Sequence, residues 1–396
     1  MRFSRADRSR LAEWWFTVDH VLLSAILIVV AAGIVLSLAA SPAVALKKGL
    51  PAYYFVERHV LFSAVGIVIM LAVSLLEPAS VRRLSLLVLA GAMGGLVAVY
   101  FLGEEINGAR RWLTIEGHSI QPSEFAKPAF VVVSAWLLAE SRRRPDMPAL
   151  PLAFLLFAVF AGLLVIQPDV GQTLLVTTVW IAMLFVSGVM LKSAALAVLL
   201  GAAGVYAAYL YFPHVAYRFD RFFSSQASDH SQGARAIQSF VEGGFLGRGP
   251  GEGTIKTSLP DAHTDYIFAV VAEEYGALAC LALLALFAFV VLRALRHAES
   301  EPDAPTRLGI VGLALMFGFQ ALINMGVNVG LLPAKGMTLP FLSAGGSSML
   351  AISLTLGMLL ALTRHRPDAD RLKKPPLMPS LPSLDARKTA TNEPRT

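Results

Sequence analysis

Apolar runs of about 20 residues follow one another along most of this chain. That is the length a helix needs to cross a hydrocarbon core of roughly 30 Å. Inside such a core every backbone N–H and C=O must find its partner within the protein, so only helices and closed barrels can span it. No stretch alternates apolar and polar residues as a barrel strand does. The fold class that follows is all-α: a polytopic integral membrane protein with about ten transmembrane helices. Composition agrees, because 56% of residues are hydrophobic and only 15% are charged, whereas a soluble domain carries about 25% charged residues.

The spans are expected near 20–40, 58–76, 81–103, 122–140, 149–167, 169–187, 191–211, 264–292, 307–331 and 346–363. The first follows Arg2, Arg5, Arg8 and Arg10, as a signal peptide would. It is too long for one and lacks a clear small-residue cleavage site, so it reads as a retained helix. Three regions result: an N-terminal segment over 1–19, a membrane domain over 20–364, and a Pro-, Lys- and Arg-rich tail over 365–396 with the composition of a disordered segment. One large loop, near 212–263, interrupts the membrane domain. It carries Tyr217, Phe219, Phe222, Phe223, Phe240 and Phe245, enough aromatic surface to be partly ordered.

An even number of spans puts both termini on one side, and Lys and Arg choose that side. The N-terminus, the turns at Arg82-Arg83, Arg142-Arg143-Arg144 and Lys192, the 293–307 loop and the tail hold 21 of the 33 Lys and Arg. By the positive-inside bias this side is cytoplasmic, with Trp14 and Trp15 at its interface. The excess positive charge is thereby explained, and no nucleic-acid partner is expected. The single Cys280 rules out an intramolecular disulfide.

Charge within a span costs about 2.5–3.5 kcal/mol at its centre on insertion scales, so each case asks for a reason. Several gather at the outer ends. Arg110 and Arg111 lie in the second outer loop. Glu124 and Lys127, at i and i+3, share a face of the fourth span and can pair. Asp169 follows Gln167-Pro168. His263, Asp265, Glu273 and Glu274 open the eighth span, and Lys335 precedes the tenth. The even-numbered spans point their N-termini, the positive ends of their dipoles, outward. Gly345-Gly346-Ser347-Ser348 opens the tenth span with small residues and free N–H groups, so Ser347 and its neighbours suit a phosphate or pyrophosphate. A carboxylate beside such cations stays ionised and can serve as a base or a metal ligand.

Structural readings stand beside these. Glu124–Lys127 alone is more often an ion pair than a site. Asp265 can be an N-cap for the eighth span. Glu273 and Glu274 lie too deep for a cap, so at least one should pair with a buried cation. Lys335 can snorkel, and Asp169 is either a cap or half of a pair. His214, His230 and His263 lack metal-ligand spacing. The glycine-rich run over 243–253 lacks the Gly-Lys-Ser/Thr ending of a nucleotide loop and reads as a flexible turn.

Three segments taken together resemble the SEDS family (shape, elongation, division and sporulation proteins). The first is Asn107-Gly108-Ala109-Arg110-Arg111-Trp112 followed by Gln121-Pro122-Ser123-Glu124-Phe125-Ala126-Lys127. The second is Pro260-Asp261-Ala262-His263-Thr264-Asp265-Tyr266 followed by Glu273-Glu274-Tyr275-Gly276. The third is Leu332-Pro333-Ala334-Lys335-Gly336 followed by Gly345-Gly346-Ser347-Ser348. They occur in family order and cover the chain to about residue 365. Lys335-Gly336 makes it more like the division member than the elongation member, while Ala344 departs from the family's usual Tyr.

The resemblance implies a peptidoglycan glycosyltransferase at the septal inner membrane, polymerising the membrane lipid substrate lipid II at the periplasmic face and releasing undecaprenyl pyrophosphate. It implies a class B penicillin-binding protein and other divisome proteins as partners. Under it, Asp265 is the general base or a metal-associated carboxylate, and Arg110, Arg111 and Lys335 hold pyrophosphate. Glu124, Lys127, Asp169, His263 and Ser347 shape the substrate cavity, with Glu273 and Glu274 behind them. A divalent cation, Mg or Mn, is compatible with that chemistry, its ligands unassigned. A lipid II flippase, an elongation-type polymerase and a recruiting scaffold are the rival readings.

Overall fold

The computed structural model describes residues 9–106, 109–115, 117–189, 232–259, 261–333 and 336–365, and scattered positions between 199 and 216. The tail beyond 365, Lys335 and most of the expected seventh span lie outside the described residues. The described positions at 199–211 are helical.

A short helix α1 (Arg10–Thr17) leads into α2 (His20–Lys47), α3 (Tyr54–Ser74) and α4 (Pro78–Leu102). Three strands follow, β1 (Glu104–Ile106), β2 (Ala109–Ile115) and β3 (His118–Ile120). Next come α5 (Pro122–Arg143), α6 (Ala149–Ile166) and α7 (Val170–Val186). The large loop holds α8 (Gln232–Gly243) and a 3-10 turn (Ile255–Ser258), and after it come α9 (Ile267–Ser300), α10 (Ala304–Asn328) and α11 (Gly346–Leu362). Among the described residues six helices, α2, α3, α4, α6, α9 and α10, are long and apolar enough to cross a membrane.

The ends of these helices have local causes. Asp19 caps α2 by accepting from the N–H groups of Val21 and Leu22, and Asp303 caps α10 from Thr306. Proline opens α4 and α5, where its missing N–H costs nothing. Leu87, Phe101, Leu102 and Val68 stand outward at 66–77% exposure. Apolar surface on that scale suits lipid and would be a liability in water.

Burial ranks the helices. Nearly every side chain of α11 is buried, as is α5 from Pro122 to Ala139, so these two form the centre with α10. At 17 residues α11 is only about 26 Å long, short of the membrane core. The buried segment 337–344 completes the passage by folding back into the bundle before α11 starts. Non-helical backbone is tolerated at that depth because protein surrounds it.

The second outer loop carries strands. β1, β2 and β3 form an antiparallel sheet in that order, pairing Glu105 with Arg110 and Leu113 with Ile120. The eighth span also differs: α9 runs from 267 to 300 and is broken at Gly276, where φ is 79° and ψ 178°. Its N-cap is Tyr266, so Asp265 is not the cap.

The glycine-rich run docks into that break. Arg248 and Gly249 donate backbone N–H groups to the carbonyls of Glu273 and Glu274 at 2.9 and 3.0 Å, and Ala277 donates to Gly244 at 2.9 Å. The groups orphaned by the break are thus satisfied by another piece of chain. The two backbones approach so closely that a Cβ on Gly276 would collide with the Gly247 nitrogen. Both residues have positive φ, so only glycine serves at either position. The run is a docked element, and its reading as a flexible turn is corrected.

Candidate functional site

The N-terminal ends of α5, α7, α9 and α11 meet at one end of the bundle, and a continuous polar network joins them. It begins on β2. Alternation along the strand turns Arg110 outward, where it pairs with Glu105 at 3.6 Å with both side chains at least half exposed. Arg111 turns inward. Its guanidinium donates to the carbonyls of Gln167 (3.4 Å) and Pro168 and lies 3.8 Å from the Asp169 carboxylate. Asp169 caps α7 through the Gln172 N–H and accepts from Gln121 Nε2 at 3.3 Å. Arg111 is therefore committed to the α6–α7 corner, and Arg110 does not join it.

Glu124 and Lys127 pair at 2.9 Å, both almost wholly buried. Lys127 Nζ also donates to Gln172 Oε1 at 2.8 Å and Gln320 Oε1 at 3.2 Å. Gln172 Nε2 donates to Glu124 Oε1 at 2.6 Å. Lys127 Nζ thus makes two hydrogen bonds beside its ion pair with Glu124. This is a desolvated, hydrogen-bonded strut linking α5, α7 and α10. Gln320 Nε2 carries the network on to the Thr338 carbonyl (3.2 Å), and the Thr338 hydroxyl meets Ser348 Oγ at 2.6 Å. Ser347 is buried beside it in the first turn of α11.

Asp265 stands in a turn whose backbone is laced from several directions. Asn324 and Asn328 each donate Nδ2 to the Asp265 carbonyl at 2.9 Å. Asn324 also reaches the Met337 carbonyl at 2.6 Å, and Asn328 Oδ1 accepts the Ala269 N–H at 3.0 Å. Ser343 Oγ donates to the Thr264 carbonyl at 2.5 Å, and the Ala344 N–H to the His263 carbonyl at 2.8 Å. Three successive carbonyls are held, which brings the carboxylate against the last loop. A Cβ built on Gly336 would lie 3.6 Å from Asp265 Oδ2. The His263 ring packs on Phe55 with centroids 4.6 Å apart. Burial, with Lys48 adding in the same direction, lowers its pKa to about 4, so it is neutral at pH 7.

Glu273 and Glu274 lie on another side of α9. Glu273 accepts the N–H groups of Thr254 (2.6 Å), Ile255 (2.7 Å) and Lys256 (3.2 Å). Glu274 pairs with the buried Lys256 and accepts the Gly251 N–H at 3.0 Å. The expectation of a buried cation is met, and that cation is Lys256, which sequence reasoning did not single out. Lys256 Nζ also reaches the Ala39 carbonyl of α2 at 3.2 Å, close to the internal Pro42. The two glutamates thus hold the docked loop in place.

Sequence reasoning also passed over Gln320, Asn324 and Asn328. Their signal was available: three amides at i, i+4 and i+8 form one polar stripe on an otherwise apolar helix. No group of three His, Cys, Asp or Glu among the described residues converges on a metal position. Glu124, Glu273 and Glu274 are taken up as above. A divalent cation brought by a diphosphate would find the Asp265 carboxylate beside the last loop, the kind of sparse protein contact Mg²⁺ accepts.

The comparisons agree with this architecture. The family described as cell cycle protein, whose members are FtsW, RodA and SpoVE, matches residues 19–368. The Caulobacter vibrioides protein named "Probable peptidoglycan glycosyltransferase FtsW" is 44% identical over 93% of this chain and 94% of its own. The protein of that name from Trichlorobacter lovleyi is 35% identical over 89% and 94%. A solved structure described as "structural coordination of polymerization and crosslinking by a peptidoglycan synthase complex" aligns with a TM-score of 0.74 at 28% identity, covering 90% of this chain and 99% of that one. Rod shape determining protein RodA of Thermus thermophilus aligns at 0.64 and 26% identity, over 88% and 97%. The chain belongs to the FtsW, RodA and SpoVE family of cell cycle proteins, the SEDS family.

Proposed function

We propose that this chain is a peptidoglycan glycosyltransferase of the FtsW type, polymerising lipid II at the outer face of the cytoplasmic membrane. One observation carries the site assignment: Asp265 is held by three laced carbonyls against the loop that leads into the N-terminus of α11. Extension of a glycan strand needs a base for the acceptor hydroxyl and positive charge for the departing diphosphate. Asp265 takes the hydroxyl proton as the acceptor oxygen bonds to the anomeric carbon of the donor. The bond from that carbon to the diphosphate oxygen breaks, and undecaprenyl pyrophosphate leaves with the electron pair. Lys335, next to Gly336, and the N–H groups opening α11 receive the negative charge. A divalent cation bound there would add Lewis acidity at the diphosphate.

The basic turns put the opposite end of the bundle in the cytoplasm with both termini, and the polar network on the periplasmic side. Relatives named FtsW support a role at the division septum. The fold shared with a synthase complex that coordinates polymerisation and crosslinking supports a class B penicillin-binding protein as partner. The network is confined to one end, which favours an enzyme over a flippase with alternating access.

The test is polymerisation of lipid II by the full chain with its partner in detergent, where no second compartment exists. Asp265→Asn and Asp265→Ala should each lose about 10²-fold or more in rate while keeping wild-type thermal stability. Polymerisation at the wild-type rate by both variants would remove Asp265 from the chemistry.

A further inference from the structure

The helix α8 divides its circumference into three arcs. Ala236, Ser239 and Gly243 are buried against the bundle. Gln238 and Glu242 are exposed and polar, and Glu242 pairs with Arg248. Between these arcs stand Ile237 at 46% exposure and Val241 at 75%, one turn apart on the same face. The ridge continues past the helix into Phe245 and Leu246, exposed at 78% and 79%.

The ridge does not end in water at either side. Ile237 Cδ1 lies 2.8 Å from where a Cβ on Gly330 would be, and Leu331 beside it, at the end of α10, is 73% exposed. At the other side the Leu278 N–H donates to the Phe245 carbonyl at 3.3 Å. Leu278 and Leu281 are exposed at 53% and 59% on the outer face of α9, one of the membrane-spanning helices. The apolar edge of α8 is therefore continuous with the lipid-facing surface of two spanning helices. A helix with one arc on protein, one apolar arc and one polar arc can lie in the interface plane with its apolar arc turned to lipid.

We propose that α8 lies in the membrane–water interface, with Ile237, Val241, Phe245 and Leu246 seated in the acyl–headgroup boundary of the bilayer that surrounds the bundle. The seat bears on the catalytic end, because α8 holds the segment that leads to Asp265. Gln232 Nε2 donates to the Asp261 carboxylate at 3.3 Å, and Arg235 donates to the Ser258 carbonyl. Lipid thereby fixes the height of that segment, at the level where a lipid-linked diphosphate presents its headgroup.

The test uses the full chain with Cys280→Ser as background and single cysteines at Ile237, Val241, Gln238 or Glu242. Each is labelled with a nitroxide after reconstitution into phosphatidylethanolamine–phosphatidylglycerol vesicles. Collision with oxygen should exceed collision with a water-soluble nickel chelate at 237 and 241, and the ratio should invert at 238 and 242. Equal nickel access at all four positions would place the ridge in water and overturn the proposal. Shielding of 237 and 241 from both reagents would overturn it too, by showing that protein covers the ridge: residues 212–231, a second copy or a partner. The readout needs no turnover, so an inactive preparation leaves this test valid, and a water-exposed ridge leaves the glycosyltransferase reading untouched.

Discussion

The two ends of the bundle treat charge differently. At the end where α5, α7, α9 and α11 begin, Glu124, Lys127, Asp169, Lys256 and Glu274 are buried, and each is tied to more than one partner. At the other end most pairs reach solvent, Arg364 excepted, whose buried side chain bonds Thr17, the Leu75 carbonyl and Glu13. Arg143 meets Asp303 at 3.1 Å with exposures of 46% and 31%, and Arg144 meets Glu140 at 3.4 Å with Arg144 at 73%. The Asp19–Arg293–His297 group is intermediate. Burial opposes the charge on Asp19, but hydrogen bonds from Arg293 and His297 outweigh it and hold the carboxyl at about 2. Exposed charge orients the protein in the membrane and contributes little energy. Desolvated charge is tolerated where it holds a site in one geometry.

The strongest way to break this contrast is to unpair the strut. Glu124→Gln and Lys127→Met should each cost about 3–5 kcal/mol, since each leaves a buried charge uncompensated. The double variant should cost less than their sum. Chemical unfolding in detergent with a double-mutant cycle measures the coupling, and strictly additive losses would refute the strut. Lys256→Met belongs to the same class and should in addition free the docked loop to proteolysis between 243 and 256.

A pH scan comes next. His263 is neutral in the fold with a pKa near 4, lowered by burial from its ordinary value of 6.5. The unfolded chain therefore binds more protons between those values. Stability from this group is complete above about 6.5, falls as pH drops toward 4, and reaches a loss of about 3 kcal/mol. His263→Gln should remove that limb. An unchanged slope in the variant would show that the ring is protonated in the fold.

Asn324→Leu should cost about 1–3 kcal/mol, chiefly through the Met337 carbonyl it leaves unpaired. It should slow lipid II polymerisation more than the stability loss accounts for, because the Asp265 turn loses a tether. Restoration of the rate by Asn324→Gln would argue for the amide itself. The smallest effect belongs to the opposite end. A cycle on Arg143→Ala and Asp303→Ala should give less than about 1 kcal/mol of coupling, shrinking further in high salt. A coupling as large as that of the strut would erase the contrast between the ends.

Hydropathy alone placed the expected spans that fall on described residues close to the observed helices. The second and third, expected at 58–76 and 81–103, are α3 at 54–74 and α4 at 78–102. Sequence spacing also foresaw the Glu124–Lys127 pair, since i and i+3 meet on any helix. The misjudged features depend on contacts distant in the chain. Arg110 and Arg111 looked equivalent until strand alternation sent one to solvent and the other to the α6–α7 corner. Glu273 and Glu274 looked like support for Asp265 until the loop carrying Lys256 was seen to claim them.

Membership of the membrane, the order of the helices and the polar positions within them follow from the sequence by itself, because transfer between water and lipid is decided residue by residue. Tertiary structure alone decided which polar groups share a network, how the glycine-rich run repairs the break at Gly276, and what holds the Asp265 turn. Those outcomes rest on hydrogen-bond partners that a buried group must find wherever the fold brings them, in this chain often from a different helix altogether.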